Sequence, residues 1–197
     1  MQTATIDFAA ARRAMLDSQL RTSGVNDTFV LDRMGAVPRE DFVPEGARAT
    51  AYIDRAIPLG NGRRLAAPLY YGMLLAEAKP TSADRALVVE SGAGYLAELL
   101  RPLVGSIEVV TPDDAATATR RKGDFTLLAI DGAVEHLPAA LVKRLADDAR
   151  VVTGLAVNGV TRLAIGRRSG GDVAFLPLAE IGIPRLGEFD KPQGWTF

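Results

Sequence analysis

Apolar residues recur at helical spacing in the first part of the chain. From Phe8 to Leu16 they return every three or four positions, which predicts a helix running to about Thr22. Asp7 is a suitable cap for its start, and Gly24 is a suitable residue to end it. The first predicted element is therefore an amphipathic helix.

Two more helices are predicted before residue 80. The apolar positions of Val30–Met34 share one helical face, which Asn26 is placed to cap and Gly35 to end. The next segment, VPREDFVP, contains too much proline for regular structure. Pro68 is a favourable first residue for the third helix, which runs to about Ala78.

The middle of the chain changes to short, unbroken apolar runs, at Ala86–Val89, Ile107–Val110 and Phe125–Ile130. Such runs are typical of strands that are buried on both faces of a parallel sheet. Helices are predicted at Tyr95–Leu103, interrupted late by Pro102, and at Pro138–Asp148. This alternation of strands and helices indicates an α/β fold.

The last third of the chain is predicted to form antiparallel strands. Arg150–Val157 and Val160–Arg167 flank Asn158-Gly159, the pair preferred in a type I′ hairpin turn. A second turn at Ser169-Gly170-Gly171 precedes Val173–Leu178. We therefore expect a mostly parallel sheet with an antiparallel C-terminal edge and a helical N-terminal cap.

Composition is that of an ordinary soluble globular protein, with 48% hydrophobic and 24% charged residues among 197. We expect one domain, with residues 1–80 as a helical cap and substrate-side segment and residues 81–197 as the α/β core. A net charge of −1 favours neither nucleic acid nor an anionic membrane as a partner. The chain has no cysteine and one histidine, so no Cys- or His-based metal site is expected. No signal peptide or membrane span is recognisable, so we expect a cytoplasmic protein.

A glycine-rich turn, ESGAGY (Glu90 to Tyr95), joins the first apolar run to the next helix. Glycines allow the backbone to approach a ligand closely, and the helix N-terminus offers free N–H groups, as in sites for nucleotide-like cofactors. Tight strand-to-helix turns also use glycine without any ligand. Ala97 stands where the third glycine of the dinucleotide-binding pattern belongs, which disfavours a nicotinamide-dependent oxidoreductase.

Several motifs occur in the order found in protein-L-isoaspartate O-methyltransferases, and the chain resembles that family over nearly its full length. The motifs are MLDSQL, Val30-Leu31, Met34, VPREDFVP, AYIDRAIPLGNGR, the glycine-rich turn and IDGAVEHLPAAL. The resemblance implies a Rossmann-like fold that binds S-adenosylmethionine. It also implies methyl transfer to the carboxylate of L-isoaspartyl residues in damaged proteins or peptides, the first step of their repair.

The resemblance assigns a set of cofactor positions to this chain. They are Val88, Glu90, Ser91, Gly92, Gly94, Tyr95, Thr111, Asp113 and Asp131. Val88 replaces an acidic residue that helps to position the cofactor's amino group, and Glu90 replaces the first glycine of the turn. A side chain at 90 would crowd the cofactor and face its carboxylate with a like charge; alternatively, Glu90 points to solvent from a different turn.

Two further cofactor positions depend on the loops after later strands. Asp113 is a candidate for the ribose hydroxyls, with a helix cap or solvated loop residue as the alternative. Asp131 follows the run Phe125–Ile130, at the carboxyl end of a strand, where ligands of such sheets bind. Only fourteen residues, 111–124, separate two strands where the family has a helix, a strand and a helix. We therefore expect the third strand unit to be missing from an edge of the sheet.

On the substrate side, the resemblance points to Asp54 and to Ala66, which stands at the position of the family's serine. The alternative to a substrate-side role for Asp54 is a structural one, as a turn or cap residue. Arg63 and Arg64 are candidates to attract an anion, although neighbouring arginines on a loop are usually solvated. His136 is more readily structural than catalytic, because this methyl transfer requires no base.

Two hypotheses of different class follow. The first is an active S-adenosylmethionine-dependent carboxyl methyltransferase with an altered cofactor site. The second is a catalytically inactive pseudo-methyltransferase that acts as a binding or regulatory module. The motifs support the first hypothesis. The changes at Val88, Glu90 and Ala66 and the missing strand unit support the second, because each removes contacts worth about 0.5–3 kcal/mol.

Overall fold

The structure, a computed structural model, describes residues 6–60, 62–90, 92–117 and 123–191. Its strands are β1 (Ile57–Gly60), β2 (Arg63–Leu65), β3 (Arg85–Val89), β4 (Ser106–Val110), β5 (Phe125–Val134), β6 (Leu145–Val157), β7 (Val160–Ser169) and β8 (Asp172–Glu180). β1 and β2 form a small antiparallel hairpin, and the other six form one sheet in the order β4-β3-β5-β6-β7-β8.

The helices surround that sheet. They are α1 (Phe8–Met15), α2 (Thr28–Ala36), α3 (Pro68–Ala78), α4 (Tyr95–Leu100), α5 (Pro112–Ala116) and α6 (Ala139–Val142). A π-helical turn (Leu16–Leu20) and a 3₁₀ turn (Arg21–Ser23) extend α1, and further 3₁₀ turns lie at Arg39–Phe42, Glu45–Thr50 and Gly187–Phe189.

The strand directions confirm the predicted α/β class. β3 pairs in parallel with β4 and β5, and β5 pairs in parallel with β6. β7 and β8 then add antiparallel to β6 at the C-terminal edge. Asn158 and Gly159 both have positive φ, 51° and 79°, as a type I′ turn requires.

The N-terminal prediction is also confirmed. Helical turns continue from Phe8 to Ser23, the Asp7 carboxylate accepts a hydrogen bond from the Ala10 N–H, and Gly24 ends the helix at φ 89°. For α2, the predicted cap was wrong by one residue, since Asp27 occupies that position and Gly35 lies inside the helix.

Two predicted boundaries in the α/β part were wrong. α4 ends at Leu100 because Pro102 cannot continue a helix without losing a backbone donor. The segment predicted as one helix, Pro138–Asp148, divides into the short α6 and the start of β6. Leu145 is buried in the strand, and an inward position on the predicted helix would also have suited it, so its apolar character did not distinguish a helix from a strand.

The third strand unit is missing, as predicted. Between β4 and β5 the described residues contain only α5, and residues 118–122 lie outside the described part of the chain. Within the described ranges, β4 pairs with β3 alone and is therefore an edge strand. The remaining parallel strands keep their pairing, which explains how the fold persists without this unit.

Each face of the sheet has its own apolar cluster. Val88 and Ala129 belong to a cluster shared with the N-terminal helices, α3 and α4. Leu87 and Val89 belong to a second cluster with α5, α6 and Phe189. Because alternate residues of β3 enter opposite clusters, the strand is buried on both faces, which is why it appears as an unbroken apolar run.

β5 bulges where it reaches the end of the sheet. Ala129 pairs with Val152, and the next pair along the strands is Ala133 with Gly154. Between these two pairs β5 advances by four residues, whereas β6 advances by two. Bulges of this kind redirect side chains and are frequent beside functional sites. Here the bulge contains Asp131.

No helix in the described ranges is both long and apolar enough to cross a membrane.

Because β6 lies close to the β5 bulge, we expect a side chain at position 154 to destabilise the protein. A Cβ at this position would lie 2.9 Å from both the Cα of Ala133 and the Cδ1 of Ile183. We expect Gly154→Ala to lower the free energy of unfolding by about 1–3 kcal/mol, since the backbone of β5 must shift. Chemical denaturation measures this change.

Gly46→Ala is the matched control, because a Cβ there meets no atom within 4 Å. Its effect is expected to stay within about 0.5 kcal/mol. Equal stability of the two variants would show that β5 and β6 do not approach each other in this way.

Candidate functional site

The glycine turn at the carboxyl end of β3 is open toward solvent. Gly92 and Gly94 have φ of 108° and 81°, which other residues rarely adopt, so both positions require glycine. A Cβ at Gly92 would meet no atom within 4 Å. Ser91, a predicted cofactor residue, lies outside the described residues. The turn thus exposes backbone to any ligand placed beside it.

A cavity of about 430 Å³ lies beside this turn. Gly92 and Ala93 form one wall, and Phe42, Leu59 and Arg63 contribute to the others. The Phe42 ring also packs edge-on against Tyr95, with ring centroids 5.2 Å apart. The VPREDFVP segment and the first residues of α4 therefore border the same space.

Two further cavities continue along β2. One of about 550 Å³ is lined by Arg63, Arg64 and the segment 184–188. The next, of about 510 Å³, is lined by Arg64, Asp54, Tyr70 and residues of the 181–184 segment. Since neighbouring cavities share an arginine of β2, the three form a series from the glycine turn to Asp54.

Glu90 does not point to solvent, and that alternative was wrong. Its side chain is buried, and its Oε1 accepts a hydrogen bond from the Ala97 N–H at 2.9 Å. The carboxylate therefore satisfies a free amide in the first turn of α4. Burial raises the pKa of Glu90, and hydrogen bonds from the Ala97 and Leu96 backbones oppose that rise. Val88, two residues earlier on the same face of β3, is fully buried.

Asp131 is the second buried acid of the site. Its Oδ1 accepts a hydrogen bond from the Tyr71 hydroxyl at 2.7 Å, and its Oδ2 has no partner among the described residues. Burial, followed by the charge of Glu90, raises the pKa of Asp131 to about 7, while Tyr71 and Arg39 act in the opposite direction. Two carboxylates thus influence each other in a site shielded from water.

Arg39 is a positive charge close enough to Asp131 to act against the rise of its pKa. The side chain is fully buried, and its Nε and Nη2 donate to the carbonyls of Ala51 and Ala66 at 2.7 and 2.5 Å. Its guanidinium carbon lies 5.4 and 5.1 Å from the ring centres of Tyr71 and Tyr95, within the range of cation–π attraction.

Ala66 and Asp54 occupy different surroundings. Ala66 is buried beside Arg39, and its N–H donates to the Tyr71 hydroxyl at 3.3 Å. Asp54 accepts a hydrogen bond from the Leu69 N–H at 3.2 Å, so it caps the first turn of α3 from outside the helix. Asp54 also lines the cavity that Arg64 shares, which places it at the far end of the series.

Thr111 and Asp113 both belong to the start of α5. Thr111 is its cap, since its hydroxyl accepts a hydrogen bond from the Asp114 N–H at 3.1 Å. Asp113 is exposed, and its carboxylate lies 3.7 Å from the guanidinium of Arg63. Arg63 makes a closer ion pair with Glu188, at 2.5 Å, and so joins β2 to the C-terminal 3₁₀ turn.

Arg64 and His136 complete the set of predicted residues. Within the described ranges Arg64 forms no ion pair, and its Nη2 donates only to the Ala56 carbonyl at 3.3 Å. It is therefore the arginine of the pair that remains available to an anion. The Nδ1 of His136 lies 2.9 Å from the Phe189 carbonyl oxygen, a structural contact that ties the β5 loop to the C-terminal segment.

Sequence reasoning did not single out Arg39, Tyr71 or Glu188. Arg39 stands inside the VPREDFVP motif that carries the family resemblance. Its place in that motif could have indicated that Arg39 belongs to the site. Tyr71 and Glu188 gave none, because their roles depend on contacts with residues 60 and 125 positions away in the sequence.

Comparison with known proteins gives a consistent result. The family model for protein-L-isoaspartate(D-aspartate) O-methyltransferase matches residues 11–121. The protein-L-isoaspartate O-methyltransferase 2 of Marinobacter nauticus is 35% identical over 225 residues, covering 96% of this chain and 97% of the relative. The protein-L-isoaspartate O-methyltransferase of a Roseiflexus species is 31% identical, covering 88% and 94%.

The fold is also similar to that of a solved structure. A candidate protein-L-isoaspartate O-methyltransferase of Plasmodium falciparum, crystallised in complex with S-adenosyl-L-homocysteine, superimposes with a TM-score of 0.73. The match covers 90% of this chain and 98% of that chain at 17% identity. At this identity the comparison supports the fold, whose crevice lies at the carboxyl ends of the parallel strands.

The raised pKa of Asp131 predicts a pH dependence of stability. An unfolded carboxyl ionises near its ordinary value of 3.8, whereas the folded one holds its proton to about 7. Between these values the folded state binds more protons, so the free energy of unfolding falls as the pH rises. Asp131→Asn, which stays neutral, should remove this fall and be roughly 1–4 kcal/mol more stable than wild type at pH 8.

Thermal unfolding of wild type and variant from pH 5 to 8 measures the difference. Asp32→Asn, at an exposed position of α2, is the matched control and should follow the wild-type curve. A wild type whose pH dependence matches that of Asp131→Asn would contradict the assignment of a buried, titrating carboxyl to Asp131.

Proposed function

The chain belongs to the protein-L-isoaspartate O-methyltransferase family, and we propose that it transfers a methyl group from S-adenosylmethionine to the carboxylate of L-isoaspartyl residues in proteins or peptides. The observation that carries this proposal is the open glycine turn of β3, bordered by a cavity within a chain that aligns with the family over most of its length. The same alignment favours this function over an inactive binding module.

The residues at the turn fit S-adenosylmethionine in space and in charge. Gly92 and Gly94 allow close approach of the backbone, and the neighbouring cavity measures about 430 Å³. The cofactor carries positive charge on its sulfonium and amino groups and negative charge on its carboxylate. Glu90, the residue at the start of the turn, and Asp131 are buried acids, and Arg63 lines the cavity. We propose that these residues hold the cofactor.

When bound, S-adenosylmethionine supplies an electrophilic methyl group. The acceptor carboxylate is already ionised at neutral pH, so the chain needs no general base. Its residues act instead by holding the acceptor in line and by excluding water. The series of cavities along β2 provides a place for the acceptor next to the turn.

Arg64 is our candidate for orienting the acceptor carboxylate. Ala66 lacks a hydroxyl for that purpose, and it lies buried behind the site. Arg64 lines two of the three cavities and forms no ion pair in the described part of the chain. A guanidinium can donate two parallel hydrogen bonds to a carboxylate, which fixes its direction as well as its position.

The direct test is methylation of a synthetic peptide that contains one L-isoaspartyl residue. We expect the purified protein to bind S-adenosylmethionine in a calorimetric titration and to methylate this peptide. The same peptide with an ordinary L-aspartyl residue is the control and should remain unmethylated. Absence of heat and of a thermal shift at millimolar cofactor would contradict the proposed function.

Arg64→Gln tests the substrate side. Loss of a charge-assisted hydrogen bond to the acceptor should raise KM for the isoaspartyl peptide about tenfold with a smaller change in kcat. Cofactor affinity should be unchanged. Arg48→Gln, at an exposed position outside the cavities, is the matched control. An unchanged KM for Arg64→Gln would remove Arg64 from the acceptor site.

A further inference from the structure

Positive charge is concentrated in the middle one of the three cavities along β2, which measures about 550 Å³. Within the described ranges, the charged residues that line this middle cavity are Arg63, Arg64, Arg185 and Glu188. The cavity at the glycine turn balances Arg63 with Asp41, and the cavity on the other side places Asp54 against Arg55 and Arg64. Since the whole chain has a net charge of −1, the excess of cations in the middle cavity is a local feature. Such a cavity attracts anions.

The β5 bulge holds Arg185 at the wall of the middle cavity. The Ala133 N–H donates to the Pro184 carbonyl at 2.7 Å, and the Leu186 N–H donates to the Ala133 carbonyl at 2.9 Å, so Arg185 lies in a short parallel bridge. Leu186 is buried in the second apolar cluster. Because neighbouring residues of an extended segment point in opposite directions, the Arg185 side chain faces away from that cluster.

The guanidinium of Arg185 is only partly occupied. Its Nη2 donates to the carboxylates of Glu135 and Asp190 at 2.7 and 2.8 Å, and neither acid lines the middle cavity. Its Nε and Nη1 make no hydrogen bond within the described part of the chain. The side chain is 42% exposed, so a ligand can reach it. Arg185 is thus oriented by two acids outside the cavity and keeps donors free for an anion inside it.

Arg63 and Glu188 neutralise each other across the cavity, with 2.5 Å between Nη2 and Oε1. Burial alone would raise the pKa of Glu188, but the hydrogen bond and the charge of Arg63 outweigh burial and lower it. Glu188 is therefore ionised at neutral pH and remains the partner of Arg63. The lining cations left without an acid inside the cavity are Arg64 and Arg185.

We infer that Arg64 and Arg185 together select acceptors that carry a second carboxylate, on an aspartate or glutamate directly beside the isoaspartyl residue. This inference rests on the proposed function and specifies the class of acceptor. The isoaspartyl carboxylate has Arg64 as its candidate partner, which leaves Arg185 for the second carboxylate. Hydrogen bonds from a guanidinium to a carboxylate are charge-assisted and therefore stronger than neutral ones. A cavity of about 550 Å³ is of the size that holds a drug-sized ligand, so two neighbouring residues fit in it.

Methylation of matched isoaspartyl peptides tests the inference. Peptides of one sequence place glutamate, glutamine or lysine directly before the isoaspartyl residue, and a second set places the same residues directly after it. In at least one set, we expect the wild type to have a kcat/KM for the glutamate peptide about fivefold above that for the glutamine peptide, mainly through a lower KM. The lysine peptide should be the poorest acceptor. Addition of NaCl to about 0.5 M should reduce the preference, because salt screens charges at exposed side chains.

Variants of Arg185 assign the preference to this residue. Arg185→Gln should reduce the ratio of kcat/KM between the glutamate and glutamine peptides below about twofold, whereas Arg185→Lys keeps the charge and should retain most of the preference. Arg185→Glu should reverse it in favour of the lysine peptide. Arg162→Gln is the matched control, because Arg162 is 40% exposed, pairs with Glu180 and lines none of the three cavities. Melting temperatures of all variants separate a folding defect from a change of specificity.

Equal methylation of all peptides by the wild type, or a full preference in Arg185→Gln, would overturn the inference and leave the proposed function standing. Equal kcat/KM together with competitive inhibition by inorganic phosphate would assign the cavity to a free anion instead. Calorimetric binding of the same peptides in the presence of S-adenosylhomocysteine tests the cavity without turnover. Tighter, Arg185-dependent binding of the glutamate peptide without methylation of any peptide would support the anion cavity and refute the proposed function.

Discussion

A buried guanidinium organises the polar centre of this protein. Arg39 begins the 3₁₀ turn Arg39–Phe42, which contradicts the prediction that VPREDFVP lacks regular structure, and its side chain is fully buried. Burying a charge is costly unless hydrogen bonds and opposite charge compensate it. The carbonyls of Ala51 and Ala66 accept from its Nε and Nη2, and two tyrosine rings lie beside it, whereas its Nη1 has no hydrogen-bond partner among the described residues. The Arg39 guanidinium thus lies where three parts of the chain meet: the VPREDFVP segment, β2 and α4.

The acids behind the glycine turn lie close to that arrangement. Burial, followed by the charge of Glu90, raises the pKa of Asp131 to about 7, and Arg39 acts against that rise. Burial also raises the pKa of Glu90, which the backbone amides of Ala97 and Leu96 oppose. Arg39 thus eases the burial of Asp131 from the same segment that closes one wall of the cavity through Phe42.

Short sequence patterns were sufficient to predict the elements that depend on neighbouring residues alone. The parallel strands and the Asn158-Gly159 hairpin were predicted, since apolar runs and turn residues act locally. The missing third strand unit was predicted from the short segment 111–124 set against the family that the chain resembles. The start of β6 and the role of Glu90 were not. Leu145 is apolar and buried in a helix or a strand alike, and the direction of Glu90 follows from an amide seven residues away. Tyr71 and Glu188 matter only because the folded chain brings distant residues beside them.

The hairpin that fixes the register of β6 and β7 carries its own chemical weakness. Asn-Gly is the dipeptide in which the backbone nitrogen of the second residue most readily attacks the side-chain amide of the first, since glycine offers no steric hindrance. The cyclic imide that forms opens largely to isoaspartate, which adds a methylene to the main chain. At Asn158, an exposed position with φ 51°, such ageing would lengthen the turn and disturb the pairing of Val157 with Val160. The protein thus displays on its surface a site that can age into the substrate proposed for it.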